Sequence, residues 1–203
     1  MVTPLLATKL YAPPLRPYLV PRPELIERLD DGWRVGRKLT LVSTPAGYGK
    51  TTLLSAWLHT VARPSAWFSL DEGDIDPARF FNYFVATLQN AHAELGRTVD
   101  RLLESPQLPP VETLLTELIN DIAYQSRAFV LMLDDYQVIA EQSIHQALGF
   151  LLERQPPQMH LVILSRQDPP LPLSACADAA RSPSFGSEIC ASPLRRRPPS
   201  STR

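Results

Sequence analysis

Leu39-Thr40-Leu41-Val42-Ser43-Thr44-Pro45-Ala46-Gly47-Tyr48-Gly49-Lys50-Thr51-Thr52 runs from a short apolar, β-branched segment through a glycine loop into a helix-forming stretch. A run such as Leu39–Ser43 reads as a buried strand, and Lys50–Val61, with Leu53, Leu54, Trp57 and Leu58, reads as a helix. The loop between them suits an anion. A phosphate chain needs many donors at close range, and backbone amides supply them only where side chains are absent, as at Gly47 and Gly49. The helix start adds its partial positive charge. Lys50 then reaches the β- and γ-phosphates, and the Thr51 hydroxyl joins a Mg²⁺ shell. The pattern Gly-x-x-x-x-Gly-Lys-Thr would open with glycine where Thr44 stands, a minor departure. A chance Gly-Tyr-Gly-Lys turn has no reason to carry a strand before it and a helix after it, so the context predicts a nucleoside triphosphate, ATP, with Mg²⁺.

Working outward, strands and helices alternate. Ala66–Leu70 reads as a second strand. Asp76-Pro77 suits a helix start, and Phe80, Phe81, Phe84, Val85 and Leu88 follow at helical spacing. Val111–Tyr124 and Ile144–Glu153 are further helices. Phe129–Leu133 and His160–Leu164 are strands that end at Asp134-Asp135 and Ser165-Arg166. Unbroken apolar strands between helices imply a parallel sheet covered on both faces. Ligands of such sheets collect at the carboxyl ends of the strands. Asp134 is therefore expected to hold Mg²⁺, usually through water, and Asp135 to polarise an attacking water. Arg166, at the same end of the next strand, is placed to report the γ-phosphate; a solvated loop arginine is the alternative reading. The acidic loop Asp71, Glu72, Asp74, Asp76 lacks Ca²⁺-loop spacing and reads as a solvated turn.

The remainder of the 203 residues narrows the class. A net charge of −1 argues against a general basic surface for nucleic acid or an anionic membrane. No apolar run spans a bilayer, and the start lacks the pattern of a signal peptide, so the expected location is cytoplasmic. Of 21 prolines, those at 4, 13, 14, 17, 21 and 23 keep the leader irregular, and others crowd the region after Asp168. Cys176 and Cys190 lie in that Ser/Pro/Arg-rich tail and form no metal pattern. The expected organisation is a Pro-rich leader and first helix over residues 1–35, a core over 36–170 and a disordered tail over 171–203.

Thr8-Lys9-Leu10, Val20-Pro21-Arg22-Pro23, Ser43 to Thr52, Ser69 to Asp74, Leu133-Asp134-Asp135-Tyr136 and Leu161 to Asp168 occur in the order seen in one family. Over residues from about 5 to 173 the chain resembles the N-terminal ATPase of the MalT-like, ATP-dependent LuxR-type transcriptional regulators, of the STAND class of P-loop ATPases. In that family Thr44 is normal variation. The resemblance implies an AAA-like P-loop fold and a switch between an ADP-bound resting form and an ATP-bound, self-associating form, with slow hydrolysis. It places Thr44, Pro45, Ala46, Gly47, Tyr48, Gly49, Lys50, Thr51 and Thr52 around the phosphates, and Val20 and Arg22 near the adenine. Sensor and DNA-reading domains of the family are absent, so no direct DNA binding is expected. The resemblance stops after Leu173, which raises the hypothesis of a reading-frame shift near Ser174; the encoding DNA decides it. In this class a fifth strand lies beside the phosphate-loop strand in the order 5-1-4-3-2. Its loss would leave Leu39–Ser43 as an open edge and the chain marginally stable. A small-molecule kinase and an inert truncated product are the competing readings.

Overall fold

The computed structural model describes residues 4–15, 20–60, 63–103, 105, 109–171 and the backbone of 188–191. Parallel strands β1 (Leu39–Ser43), β2 (Ser65–Ser69), β3 (Phe129–Asp134) and β4 (Met159–Ser165) alternate with α1 (Pro23–Arg34), α2 (Lys50–Thr60), α3 (Pro77–Ala91), α4 (Arg97–Leu103), α5 (Val111–Ala123) and α6 (Gln142–Arg154). The strands lie in the order β2-β3-β4-β1-β5, where β5 is Glu188–Ala191.

Residues two apart on a strand share a face of the sheet, and both faces are apolar here. Leu39, Leu41, Leu131, Leu133, Leu161 and Ile163 face α3, α5 and α6, with Phe80, Phe84, Leu118 and Leu148 packed among them. Val42, Trp67, Val130, Met132, Val162 and Leu164 face α1 and α2 through Leu29, Leu54 and Trp57. The expected parallel sheet with helices on both sides is therefore observed. Helix ends follow local chemistry. The Asp76 side chain accepts a hydrogen bond from Arg79 N at 2.8 Å and Pro77 opens α3. Past α1 the chain turns at Gly36, whose φ of 71° suits glycine, with its N–H bonded to Trp33 O. The short α4 is absent from the sequence expectations, since its seven residues bury one side chain, Val99, and carry no readable period.

Two expectations are corrected. The β1 edge is not open, because β5 pairs with it antiparallel, Thr40 opposite Ala191 through Ser43 opposite Glu188. Those four residues of the tail form a strand. The rest of the tail, including Cys176, lies outside the described residues. The edge of a sheet offers a row of unpaired backbone groups, and here β5 supplies partners for those of β1. The acidic loop is not simply solvated either. Asp74 is fully buried, its carboxylate held by Lys9 and by Arg79 Nε at 3.2 Å. Lys9 belongs to a short helical turn, Ala7–Leu10, and its ammonium also lies 4.4 Å from the Tyr83 ring centroid. Leu6 N–H donates to Tyr83 Oη at 2.9 Å. The leader is thereby fastened against β2 and α3.

Candidate nucleotide site

The loop Thr44–Gly49 leaves the carboxyl end of β1 and runs straight into α2. Thr44 N–H bonds to Ser165 O at 3.1 Å, tying the loop base to β4, and Leu53 N–H bonds to Gly49 O as the helix begins. Gly47 and Gly49 have φ values of 87° and 78°, in the left-handed region that L side chains avoid. A Cβ added at either would meet nothing within 4 Å; it would project into open space beside the backbone. That is the room a phosphate group needs. Pro45, Ala46 and Tyr48 are exposed, while Thr44 is buried and its hydroxyl has no hydrogen-bond partner.

Strand order brings the other candidates here. β4 lies between β1 and β3, so Ser165-Arg166 emerges between the loop and Asp134-Asp135. Thr51 Oγ1 donates to Asp134 Oδ2 at 2.9 Å, across 83 residues of sequence. Lys50 Nζ donates to the carbonyls of Thr44 at 2.6 Å and Pro45 at 3.2 Å. Arg166 Nη2 lies 3.9 Å from Asp135 Oδ1, in an exposed pair. Thr52, together with Gly49, Leu53 and Ala56, lines a cavity of ≈ 160 Å³ whose opposite wall is Val20, Pro21, Arg22 and Ile26. The residues singled out from the sequence thus fall around one end of the sheet.

The electrostatics of the site suit a cation. Burial pushes the Asp134 carboxyl up to about 6; the Asp135 charge adds to the rise, while hydrogen bonds from Thr51 and from Asp135 N–H work against it. A buried carboxylate beside a second carboxylate and a hydroxyl is a hard-oxygen donor set, which fits Mg²⁺. Partial burial lowers the Lys50 ammonium below the usual lysine range and the Arg166 charge lowers it further; Asp135 and Asp134 oppose both. Among the described residues no group of three or more His, Cys, Asp or Glu forms a protein-only metal cluster.

Sequence reasoning missed Gln137. Its Nε2 donates to Asp135 Oδ1 at 2.8 Å and its Oε1 accepts from Arg166 N–H at 3.0 Å. Its only sequence signal is its place two residues after the acidic pair, which does not reveal a cross-strand partner.

A family model for the AAA ATPase domain matches residues 18–164. The chain belongs to the AAA ATPase domain family. The transcriptional regulator MalT of Cronobacter sakazakii is 35% identical over 167 residues, which cover 82% of this chain and 18% of that protein. MalT of Klebsiella pneumoniae is 36% identical over the same coverage. The chain is thus MalT-like in its ATPase portion and spans less than a fifth of these relatives' length. A Walker-type ATPase of Pyrococcus abyssi shares 16% identity at a TM-score of 0.47, covering 75% of this chain and 47% of that one. Family membership implies nucleotide binding. No helix among the described residues is long and apolar enough to cross a membrane.

Proposed function

We propose that this AAA ATPase module is a Mg²⁺-dependent ATP/ADP switch of a MalT-like regulator, with slow hydrolysis resetting it. The observation that carries the proposal is the hydrogen bond from Thr51 to buried Asp134, formed at the foot of a glycine loop that also holds Lys50. Residues far apart in sequence converge where a metal-bound triphosphate would be held.

In this reading the Gly47–Lys50 amides and the α2 start bind the phosphates, and Lys50 exchanges the Thr44 and Pro45 carbonyls for phosphate oxygens. Thr51 and Asp134 hold the metal. Mg²⁺, when bound, supplies positive charge that screens the β- and γ-phosphates. Asp135 orients the attacking water, and Arg166 senses the γ-phosphate. Val20 and Arg22 form one wall of the base pocket, with Thr52 opposite. Self-association in the ATP form, cytoplasmic action and the absence of direct DNA contact belong to the same proposal, as does the division into a leader with first helix over 1–35, a core over 36–170 and a tail.

Titration of labelled ATP and ADP with and without Mg²⁺ tests it. Lys50→Ala removes a charge-assisted contact worth about 1.5–3 kcal/mol, so affinity is expected to fall about ten- to a hundredfold. Folded wild-type chain with no Mg-dependent affinity would end the proposal. Transfer of phosphate to a small acceptor would favour a kinase instead.

A further inference from the structure

Gln137 joins two elements that the switch reading treats separately. Its side-chain amide spans the gap between the end of β3 and the end of β4, with the N–H on Asp135 Oδ1 at 2.8 Å and the carbonyl on Arg166 N–H at 3.0 Å. The orientation is dictated by chemistry. A carboxylate only accepts and a backbone N–H only donates, so a flipped amide would face a repulsive partner at both ends. No other uncharged side chain of that length offers both functions on one flat group.

The turn carrying Gln137 is otherwise held by hydrogen bonds. Asp135 has φ 56°, the left-handed region, which costs a non-glycine residue on the order of 1 kcal/mol. Surrounding contacts hold it there. Asp135 N–H donates to Asp134 Oδ1 at 2.9 Å, Val138 N–H bonds to Asp135 O, and below them the buried Tyr136 hydroxyl meets buried His145 Nδ1 at 2.8 Å. With the backbone clamped, the Asp135 carboxylate keeps only its side-chain rotations, and the Gln137 amide restrains them. The same amide holds the first peptide after β4, the peptide that aims Arg166. Arg166 and Asp135 themselves meet only through an exposed contact of 3.9 Å, too weak to set either position.

We infer that Gln137 is a positioning residue that locks Asp135 and Arg166 into one unit, so that the site tells ATP from ADP. This rests on the switch reading of the site and adds to it the residue that couples the two strand ends. ADP has no γ-phosphate to engage that unit, so its binding through Gly47–Thr51 is independent of Gln137.

The test is the ratio of Mg-ADP to Mg-ATP dissociation constants, measured for wild type, Gln137→Met and Gln137→Glu, together with thermal midpoints. Gln137→Met keeps the length and removes both hydrogen bonds. Gln137→Glu keeps the acceptor for Arg166 N–H and sets a second negative charge against Asp135. Both are expected to weaken Mg-ATP binding about five- to tenfold while Mg-ADP affinity stays within twofold and the midpoint is unchanged. A merely structural role would shift the midpoint and both nucleotides together, and that result overturns the inference. So does a variant ratio equal to wild type, while leaving the switch reading intact. Wild-type chain that binds neither nucleotide overturns both.

Discussion

Asp134 sits at the end of β3, 3% exposed, with a carboxyl pushed up to about 6 by burial first and by Asp135 second. The sign of its contribution to folding follows from linkage. A group whose folded pKa is raised favours the folded state below its ordinary value, and that contribution is lost as pH rises through the folded value. Above about pH 6 the ionised Asp134 therefore costs the nucleotide-free chain on the order of 2–3 kcal/mol. Asp134→Asn is expected to stabilise the chain by about 2 kcal/mol at pH 7.5, with the gap closing toward pH 5, and to abolish the Mg²⁺ dependence of nucleotide binding. Urea unfolding at both pH values checks the first part and a Mg²⁺ titration the second; a variant less stable than wild type at pH 7.5 would contradict it.

Among the elements, the leader turn Ala7–Leu10 shows how burial sets the weight of an ion pair. Lys9 is 6% exposed and Asp74 is 0% exposed, so removing the ammonium strands a buried carboxylate with Arg79, itself 41% exposed, as its remaining charged partner. Lys9→Met is expected to cost about 2–4 kcal/mol in urea unfolding. The solvent-exposed pair Arg97–Glu94, at 2.6 Å, has a shorter contact than most ion pairs among the described residues, yet Arg97→Ala should cost less than about 0.5 kcal/mol. Equal effects from the two substitutions would contradict the argument. The strands and the larger helices were legible because their signal is local. Phe129–Leu133 is unbroken apolar sequence, Asp76-Pro77 is a cap, and Phe80, Phe81, Phe84 and Leu88 keep helical spacing. The Lys9–Asp74 pair was not legible as a contact, since charge spacing alone does not say which carboxylate will be buried.

At the scale of the molecule, two buried titratable groups pull against each other. His160, neutral between Thr40 Oγ1 at 3.0 Å and Arg37 O at 2.6 Å, is pushed down to about 4 by burial, with nearby Arg63 and Arg37 adding to the fall. Its contribution is present above its ordinary value of 6.5 and is lost as pH falls through about 4, opposite in sign to Asp134. Wild-type stability should therefore change little between pH 6 and 4.5, whereas Asp134→Asn should lose stability steadily over that range; parallel curves would refute the pairing. Ligand adds a second lever. Mg-ATP at a hundredfold excess over its dissociation constant contributes about 2.7 kcal/mol. For a chain of this size that raises the thermal midpoint by roughly 5–10 °C, measurable by calorimetry, and no shift would count against the proposed nucleotide binding.

The sequence alone determined the loop, the parallel α/β class and the family, because glycine conformations, strand hydrophobicity and motif order are properties of adjacent residues. It could also nominate Lys50, Thr51, Asp134 and Arg166 one at a time. Only the tertiary structure decided that β4 lies between β1 and β3, that Thr51 touches Asp134, that Gln137 spans two strand ends and that β5 pairs with the β1 edge. Apart from the Gln137–Asp135 bond, those are contacts between residues tens to more than a hundred positions apart. Their formation depends on sheet order and on competition for backbone hydrogen bonds, which no local pattern records.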